Sequence, residues 1–141
     1  MDTRSRLLPL LLLATALIPS TATAPPHPIQ ALAPVDIVMA GFGSLRGIVV
    51  DADGNIYVAD REAMTVTRIA PNLTRTTVAA GLERPVGLAL DLTGRLLIAE
   101  ERAGRVVKVE ADGGRGPIMS GIKQPRWLAV SDSGTVYVSA R

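Results

Sequence analysis

The sequence has no cysteine and only one histidine among its 141 residues. Without cysteine the chain has no disulfide, no thiol nucleophile, no cysteine-based zinc site and no lipid-modified bacterial lipoprotein start. The one histidine, His27, lies in a proline-rich segment ahead of the repeats described below. The repeats therefore carry no histidine base, no histidine metal ligand and no Ser-His-Asp triad. We expect no catalytic residue, no metal ligand and no cofactor in this chain.

Aromatic residues are also few, at 3% of a sequence that is 48% hydrophobic, so the core must consist of Val, Leu, Ile and Ala. The charge balance gives no reason to expect a nucleic-acid partner. The sequence pI is about 9.5, but Arg4, Arg6 and Asp2 lie in residues 1–24, and 13 basic and 12 acidic groups remain after these residues. Such a balance is not a phosphate-binding footprint, and we predict no nucleic-acid partner.

Residues 1–24 have the pattern of a secretory signal peptide. Two arginines precede a short apolar run, Leu7–Ile18, and the small-x-small sequence Ala22-Thr23-Ala24 follows. Cleavage after Ala22 is the alternative to cleavage after Ala24, because Pro25 would follow the second cut. A membrane span needs roughly 20 apolar residues, so an uncleaved membrane-tethering helix is the less favoured interpretation. We predict a secreted or periplasmic protein with no stable membrane span after cleavage.

Residues 25–35 contain four prolines and are predicted to be an extended linker. The region after it, residues 36–141, is a repeat of constant period. Glycine and turn positions recur without insertion, as in Gly41, Gly81 and Gly121; Gly54, Gly94 and Gly134; and Asp51, Asp91 and Ser131. A period of about 40 residues that consists of short strands is typical of a propeller blade. Helical repeats of similar length need a period of about 3.6 residues, which these segments lack.

The pattern predicts an all-β fold, namely a β-propeller of about two and a half four-stranded blades in an incomplete ring. The predicted strands are Gly47–Val50, Ile56–Asp60, Val66–Ala70 and Thr76–Ala80 in blade one; Gly87–Leu90, Leu96–Glu100, Arg105–Glu110 and Pro117–Met119 in blade two; and Trp127–Val130 and Thr135–Ser139 in blade three. Asp36–Ala40 aligns with a fourth strand, so we predict it to be the outermost strand of a blade whose other strands lie elsewhere. The first two strands of each blade are nearly continuous apolar runs, as expected for strands that are buried on both faces.

The hairpin that follows the first strand has two possible interpretations. In Asp51-Ala52-Asp53-Gly54-Asn55, glycine supplies the positive φ of a turn and Asp51 can bond to the backbone two residues on. The alternative is a calcium loop, but glycine arrives two positions too early for the EF-hand pattern. Because the turn recurs with serine in place of the first acid at Ser131, we favour the structural turn.

The sequence from Pro85 to Glu100 resembles the NHL repeat. Its frame is proline, Gly87, an apolar strand ending at Asp91, then Gly94 and a second apolar strand that ends in Ala99-Glu100. It is also similar to the related six-bladed propellers of the gluconolactonase/regucalcin type and to the streptogramin lyases. This resemblance covers about residues 36–141 and implies the propeller fold. It implies no single activity, because one fold carries many functions.

The resemblance also implies where catalytic groups would lie in the related enzymes. Gluconolactonase-like enzymes place a metal-ligating acid or Asn just before the blade glycine, where this chain has Arg46, Val86 and Arg126. Streptogramin lyases use a histidine in the repeats, and these repeats have none. We therefore expect an exported ligand- or protein-binding module that is a fragment of a longer protein. The alternative is the N-terminal part of a gluconolactonase- or lyase-like hydrolase whose catalytic residues lie in missing blades.

One candidate binding site follows from the expected topology, since loops that enter the first strand and leave the second share one rim. That rim would carry Arg46, Asp60, Arg61, Glu62, Glu100, Glu101, Arg102, Arg126 and Arg141. Of these we select Arg46, Asp60, Arg61, Glu100 and Arg126 as candidate ligand-binding residues for a protein or a small polar ligand, with Arg46 and Arg126 as fixed cations. The alternative is a solvated surface with local ion pairs.

An arc of two and a half blades leaves a sheet face and strand edges open. We expect that either missing blades or self-association closes the ring.

Overall fold

Ten short strands make up the regular secondary structure of residues 37–141, the part of the chain that the computed structural model describes. Blade one consists of β1 (Leu45–Val50), β2 (Ile56–Asp60), β3 (Thr65–Ile69) and β4 (Arg75–Ala79). Blade two consists of β5 (Pro85–Leu90), β6 (Leu96–Glu100), β7 (Arg105–Val109) and β8 (Arg115–Met119), and blade three of β9 (Leu128–Val130) and β10 (Val136–Val138). No helix in this part of the chain is long and apolar enough to cross a membrane. The predicted signal peptide and linker lie outside the described residues.

Each blade is an antiparallel sheet whose strands lie in chain order. Blade one has the order β1-β2-β3-β4, blade two β5-β6-β7-β8, and β9 pairs with β10. The innermost strands face one another, with β1 against β5 and β5 against β9. The all-β propeller fold and its incomplete ring are confirmed, and every predicted strand of blades one to three is present within two residues of its predicted bounds.

Two apolar clusters join the three blades. The first lies between blades one and two and includes Ala59, Val66, Ala79, Leu82, Leu88, Leu96, Ile98 and Val107. The second lies between blades two and three, where Ala89, Leu97 and Val106 pack against residues that include Leu128, Val130, Val136 and Val138. Consecutive residues of β6 thus belong to different clusters, because side chains alternate between the two faces of a strand. This explains why β5 and β6, the first two strands of blade two, are nearly continuous apolar runs.

The faces at the two ends of the arc are exposed. Ile48 on β1 is 68% exposed and Tyr137 on β10 is 60% exposed. The residues at the same repeat positions in blade two, Leu88 and Leu97, are only 7% and 1% exposed, because they pack against the blades on either side.

Turn residues hold the hairpins as the sequence pattern predicts. In blade one the Asp51 Oδ1 atom accepts bonds from the N–H groups of Asp53 and Asn55, at 3.0 and 2.9 Å. Asp91 accepts the equivalent bonds from Thr93 and Arg95 in blade two. In blade three a serine hydroxyl replaces the carboxylate and accepts the N–H of Thr135. The repeated acid therefore stabilises the turn in the way Asx turns do.

Two glycines set the distance between inner strands. A Cβ on Gly47 would lie 2.5 Å from the carbonyl oxygen of Val86, and a Cβ on Gly87 would lie even closer to that of Arg126. Both distances are shorter than any real Cβ contact. Each blade thus places a backbone carbonyl where the preceding blade would otherwise carry a side chain.

The prediction that Asp36–Ala40 forms an outer strand is wrong for the residues that the structure describes. Residues 37–44 belong to no strand, and Ile37 is 86% exposed. A fourth strand must pair with a third strand, and the described residues provide no unpaired third strand beside this segment. Arg75 contacts the segment instead, with Nη2 donating to the Ala40 carbonyl at 2.7 Å and the guanidinium 4.3 Å from the Phe42 ring centroid.

Two carboxylates at the ends of second strands are buried and hold neighbouring loops. Asp60 is 3% exposed and accepts backbone N–H bonds from Gly43, Ser44, Glu62 and Ala63 at 2.7–3.1 Å. Burial raises the pKa of Asp60, but the backbone bonds lower it further, so the pKa lies below its ordinary value. The carboxylate therefore stabilises the fold in its charged form.

The same position in blade two is Glu100, which is 1% exposed. It accepts the Glu83 N–H at 2.7 Å and pairs with Arg105 Nε at 2.5 Å. Hydrogen bonding to Glu100 raises the pKa of Arg105. Glu100 thus fixes the loop before β5 in the way that Asp60 fixes the loop before β1.

Replacement of Gly87 by alanine should destabilise the propeller, because the new Cβ would collide with backbone atoms of Arg126, which move less readily than the end of a flexible side chain. We expect a loss of about 1–3 kcal/mol in the free energy of unfolding, measured from urea denaturation. Gly116→Ala is the matched control, since its Cβ would meet no atom within 4 Å. Equal stabilities of the two variants would contradict the close approach of the blades.

Asp60→Asn should lower the free energy of unfolding by about 1–3 kcal/mol near neutral pH, because the amide cannot accept all four bonds. Because the pKa of Asp60 is lower in the folded state than in the unfolded state, where it is about 3.9, the charged carboxylate stabilises the fold at any pH above about 3.9. This stabilisation is lost as the pH falls through the pKa of the folded state. The difference between parent and variant should therefore shrink in acid, which urea denaturation across that pH range would measure. Asp132→Asn, on an exposed turn, is the control. A constant difference at all pH values would refute the role of the charge.

Candidate functional site

A cavity of about 270 Å³ opens at the rim where the chain enters the first strand and leaves the second strand of each blade. Its lining consists of Leu45, Arg46 and Arg61 from blade one, Val86 and Glu101 from blade two, and Arg126 and Trp127 from blade three. Positions 46, 86 and 126 are equivalent in the repeat. This repeat position therefore lines the cavity in all three blades, with arginine in blades one and three and valine in blade two.

Glu101 is the electrostatic centre of this rim. Its carboxylate, only 10% exposed, lies 3.1 Å from Arg61 Nη2, 3.3 Å from Arg126 Nη2 and 3.4 Å from Arg84 Nε. Because Arg61 is in blade one and Arg126 in blade three, this one side chain connects three blades. Solvent screens the Arg61–Glu101 pair least, since Arg61 is 26% exposed, whereas Arg84 and Arg126 are 47% and 42% exposed.

The rim has more guanidinium groups than carboxylates. We define Arg46, Arg61, Arg84 and Arg126 as the arginine cluster. Three of them, Arg46, Arg61 and Arg126, line the cavity with Glu101, which leaves an excess of two positive charges there. Arg84 pairs with Glu101 but does not line the cavity. Within residues 37–141, Arg46 makes no ion pair and the buried Nε of Arg61 has no hydrogen-bond partner. The cluster therefore retains donors and charge that its own carboxylate does not satisfy.

The chemistry of arginine limits what this cavity can do. A guanidinium group stays protonated at physiological pH, so it neither gives nor takes a proton in a reaction. Its planar array of N–H donors matches the oxygen atoms of a carboxylate or phosphate, often through two parallel bonds. The arrangement is therefore suited to binding an anion or to stabilising negative charge.

The five residues selected from the sequence divide into two groups. Arg46, Arg61 and Arg126 come together in the cavity, as the shared rim predicts. Asp60 and Glu100 do not line it, because their carboxylates are buried against backbone N–H groups and Arg105 within their own blades. The structure thus separates a group that faces the cavity from a pair that supports the loops around it.

Four cavity residues are not among the selected five: the aliphatic Leu45 and Val86, and also Glu101 and Trp127. Glu101 was assigned to the rim by the sequence, but nothing in the pattern distinguished it from Glu100, which precedes it. Trp127 was predicted only as the start of a strand. The sequence feature that could have identified Trp127 as a site residue is its departure from the repeat, which has glycine at the equivalent positions, Gly47 and Gly87.

The described residues contain no group of three or more His, Cys, Asp or Glu side chains placed to hold a metal ion. The positions at which gluconolactonase-like enzymes are expected to carry ligands do reach the cavity. Here they present two guanidinium groups and the side chain of Val86. These groups do not bind divalent cations, since such cations require oxygen, nitrogen or sulfur ligands that arginine and valine do not supply.

Comparison with known families and structures agrees with this architecture. The NHL repeat family model matches residues 42–69. No curated protein matches the chain at a significant level of sequence similarity.

Solved structures share the fold. Virginiamycin B lyase from Staphylococcus aureus is 14% identical with a TM-score of 0.62, over 68% of this chain and 34% of its own. A gluconolactonase from Xanthomonas campestris is 17% identical with a TM-score of 0.67, over 73% of this chain and 37% of its own. A chain from the nidogen/laminin complex is 23% identical with a TM-score of 0.62, over 68% of this chain and 39% of its own.

This chain therefore spans little more than a third of the length of these structures, and at such low identity the likeness concerns the fold alone. The resemblance predicted from the sequence is confirmed: the chain carries an NHL repeat within a partial β-propeller whose fold is that of gluconolactonase-like proteins and streptogramin lyases.

Proposed function

We propose that this chain is part of an exported β-propeller and that it binds a small anionic ligand, a carboxylate or phosphate, in the rim cavity. Export is supported by the leader pattern of residues 1–24. Binding is supported above all by one observation: the residues that line the cavity, to which all three blades contribute, include three arginines and one glutamate, an excess of two positive charges.

The surroundings of the arginine cluster favour a ligand over a plain network of surface ion pairs. Arg61 is only 26% exposed and Glu101 only 10% exposed, so water screens these charges poorly. Guanidinium groups that converge in such a place repel one another unless an anion compensates them. Glu101 compensates one charge, and a bound carboxylate or phosphate would compensate one or two more.

Arg46 is the residue that would contribute most to the binding free energy of an anionic ligand. It lines the cavity, and within the described part of the chain it has no carboxylate partner. An incoming anion could therefore bond to Arg46 without first breaking an ion pair. Arg126, by contrast, would share its donors between Glu101 and the ligand.

An enzyme of the lactonase or lyase class is the second candidate, and the structural neighbours favour it. Virginiamycin B lyase is described as catalytically inactive when a histidine is replaced by alanine. Residues 37–141 contain no histidine and no metal-binding cluster. If a longer form of this protein is an enzyme, its proton-transfer or metal-binding residues must come from other blades, and the rim cavity would supply charge and orientation only.

Arg46→Ala and Arg126→Ala should weaken anion binding without unfolding the protein. We expect losses of about tenfold in affinity for each, since a charge-assisted hydrogen bond contributes roughly 1.5–3 kcal/mol. Isothermal titration with acetate, benzoate and inorganic phosphate at low ionic strength is the measurement. Arg95→Ala removes the same charge from the turn between β5 and β6, at the opposite rim, and should have little effect. Unchanged affinity in both cavity variants, or no binding of any of the three anions, would refute the proposal.

Glu101→Gln should have the opposite effect, because it removes the negative charge that competes with the ligand for Arg61, Arg84 and Arg126. Affinity for the same anions should rise severalfold, while the free energy of unfolding falls as the ion pairs between the blades are lost. A lower affinity in Glu101→Gln, at equal foldedness by circular dichroism, would mean that Glu101 positions the arginines and does not compete with the anion.

A further inference from the structure

Position 127 departs from the repeat in a way that changes the cavity. The inner strands of blades one and two have glycine at this position, Gly47 and Gly87, and each is covered by a carbonyl group of the next blade. Blade three has the largest side chain, tryptophan, at the same position. A further blade could not approach Trp127 as closely as blade three approaches Gly87, because the side chain occupies the space that the carbonyl would need.

Trp127 is fixed through its backbone while its ring remains accessible. Its N–H donates to Ser139 Oγ at 3.1 Å, and its carbonyl accepts the Ser139 N–H at 3.0 Å. The side chain belongs to neither apolar cluster, and Trp127 is 61% exposed. It lines the rim cavity together with Leu45 and Val86.

Within the described part of the chain, no cation occupies the face of the Trp127 ring. The cation–π pair found within residues 37–141 is that of Arg75 with Phe42, neither of which lines the cavity. Two of the cavity arginines, Arg61 and Arg126, pair with Glu101 instead. One cavity therefore presents an exposed tryptophan and two aliphatic side chains beside guanidinium groups whose charge Glu101 compensates only in part.

We infer that the rim cavity selects carboxylates that carry a flat aromatic body, with Trp127 stacking on the ring and the arginine cluster binding the carboxylate. This inference rests on the proposed anion site and adds the class of ligand. Stacking on an aromatic side chain stabilises a planar ligand, and offset or edge-to-face contacts are favourable for a pair of rings. A cavity of about 270 Å³ is small, so the ligand should be of the size of benzoate or indole-3-carboxylate.

The test uses the fact that Trp127 is the only tryptophan of the chain. Titration of the protein with benzoate, excited at the red edge of indole absorption, should change its fluorescence, whereas acetate should not. Isothermal titration should show that benzoate binds about tenfold more tightly than acetate, because stacking on an aromatic side chain stabilises only the ligand that carries a ring. Cyclohexanecarboxylate, which is apolar but not flat, should lie between the two.

Variants at position 127 separate stacking from other effects. Trp127→Phe should keep most of the ratio of benzoate affinity to acetate affinity, and Trp127→Leu should bring that ratio close to one. Trp127→Gly, which restores the residue of the other blades, should behave like Trp127→Leu. Because Trp127 is largely exposed and outside both clusters, none of these changes should lower the urea midpoint appreciably. If one of them does, the comparison of the Phe and Leu variants at matched foldedness still decides the question.

The outcomes distinguish this inference from the proposal on which it rests. If acetate and benzoate bind with equal affinity, and both lose affinity in Arg46→Ala, the aromatic preference is overturned and the anion site remains. Equal benzoate affinity in the Phe and Leu variants would also overturn it. Absence of binding for both anions would overturn the anion site itself.

Discussion

The fold depends on the contact of a backbone carbonyl with the inner-strand glycine of the preceding blade. The carbonyls of Val86 and Arg126 lie where Gly47 and Gly87 would otherwise carry a Cβ atom. Because no side chain separates them, the inner strands pack closely, and the apolar side chains of β5 and β6 can fill the space on both faces of blade two. The residue that provides each carbonyl is also the residue whose side chain lines the cavity. Close packing of the blades and convergence of the rim side chains thus have a single geometric cause.

A second arrangement holds the rim loops so that their side chains meet. Asp60 and Glu100 are buried at the ends of β2 and β6 and accept backbone N–H bonds from the loops that lead into the inner strands. The next residues, Arg61 and Glu101, turn toward the cavity and form an ion pair between blades. Two neighbouring charged residues therefore have different roles, the first in support of the loop and the second in the cavity. Their order in the repeat makes the rim rigid on both sides of the arginine cluster.

Most of the fold could be predicted from the sequence, because a repeat of constant period transfers each strand assignment to the next blade. The outer strand at Asp36–Ala40 was wrong because the alignment shows what a segment resembles and not whether a partner strand lies beside it. In the site, Arg46, Arg61 and Arg126 could be predicted from topology alone. The burial of Asp60 and Glu100 could not, since charged residues at strand ends are usually exposed and only the loop geometry provides the bonds that compensate their burial. In the sequence Trp127 stands out only because the other blades have glycine at this position. Its effect on the cavity follows from the structure, which shows where the neighbouring carbonyls lie.

Two neighbouring positions of the repeat vary within the cavity. Elsewhere the repeat keeps residues that stabilise it, such as the turn acids Asp51 and Asp91 and the interior side chains of β6. At the cavity the same repeat position is Arg46, Val86 and Arg126, and the adjacent one is Gly47, Gly87 and Trp127. An excess of guanidinium groups and an exposed indole both reduce the stability of an isolated domain, by charge repulsion in the first case and by unburied apolar surface in the second. Sites at which a sequence departs from its own stabilising pattern are commonly sites of function. A ligand that is both anionic and flat would compensate both departures at once, which neither a simple anion nor an apolar molecule could do.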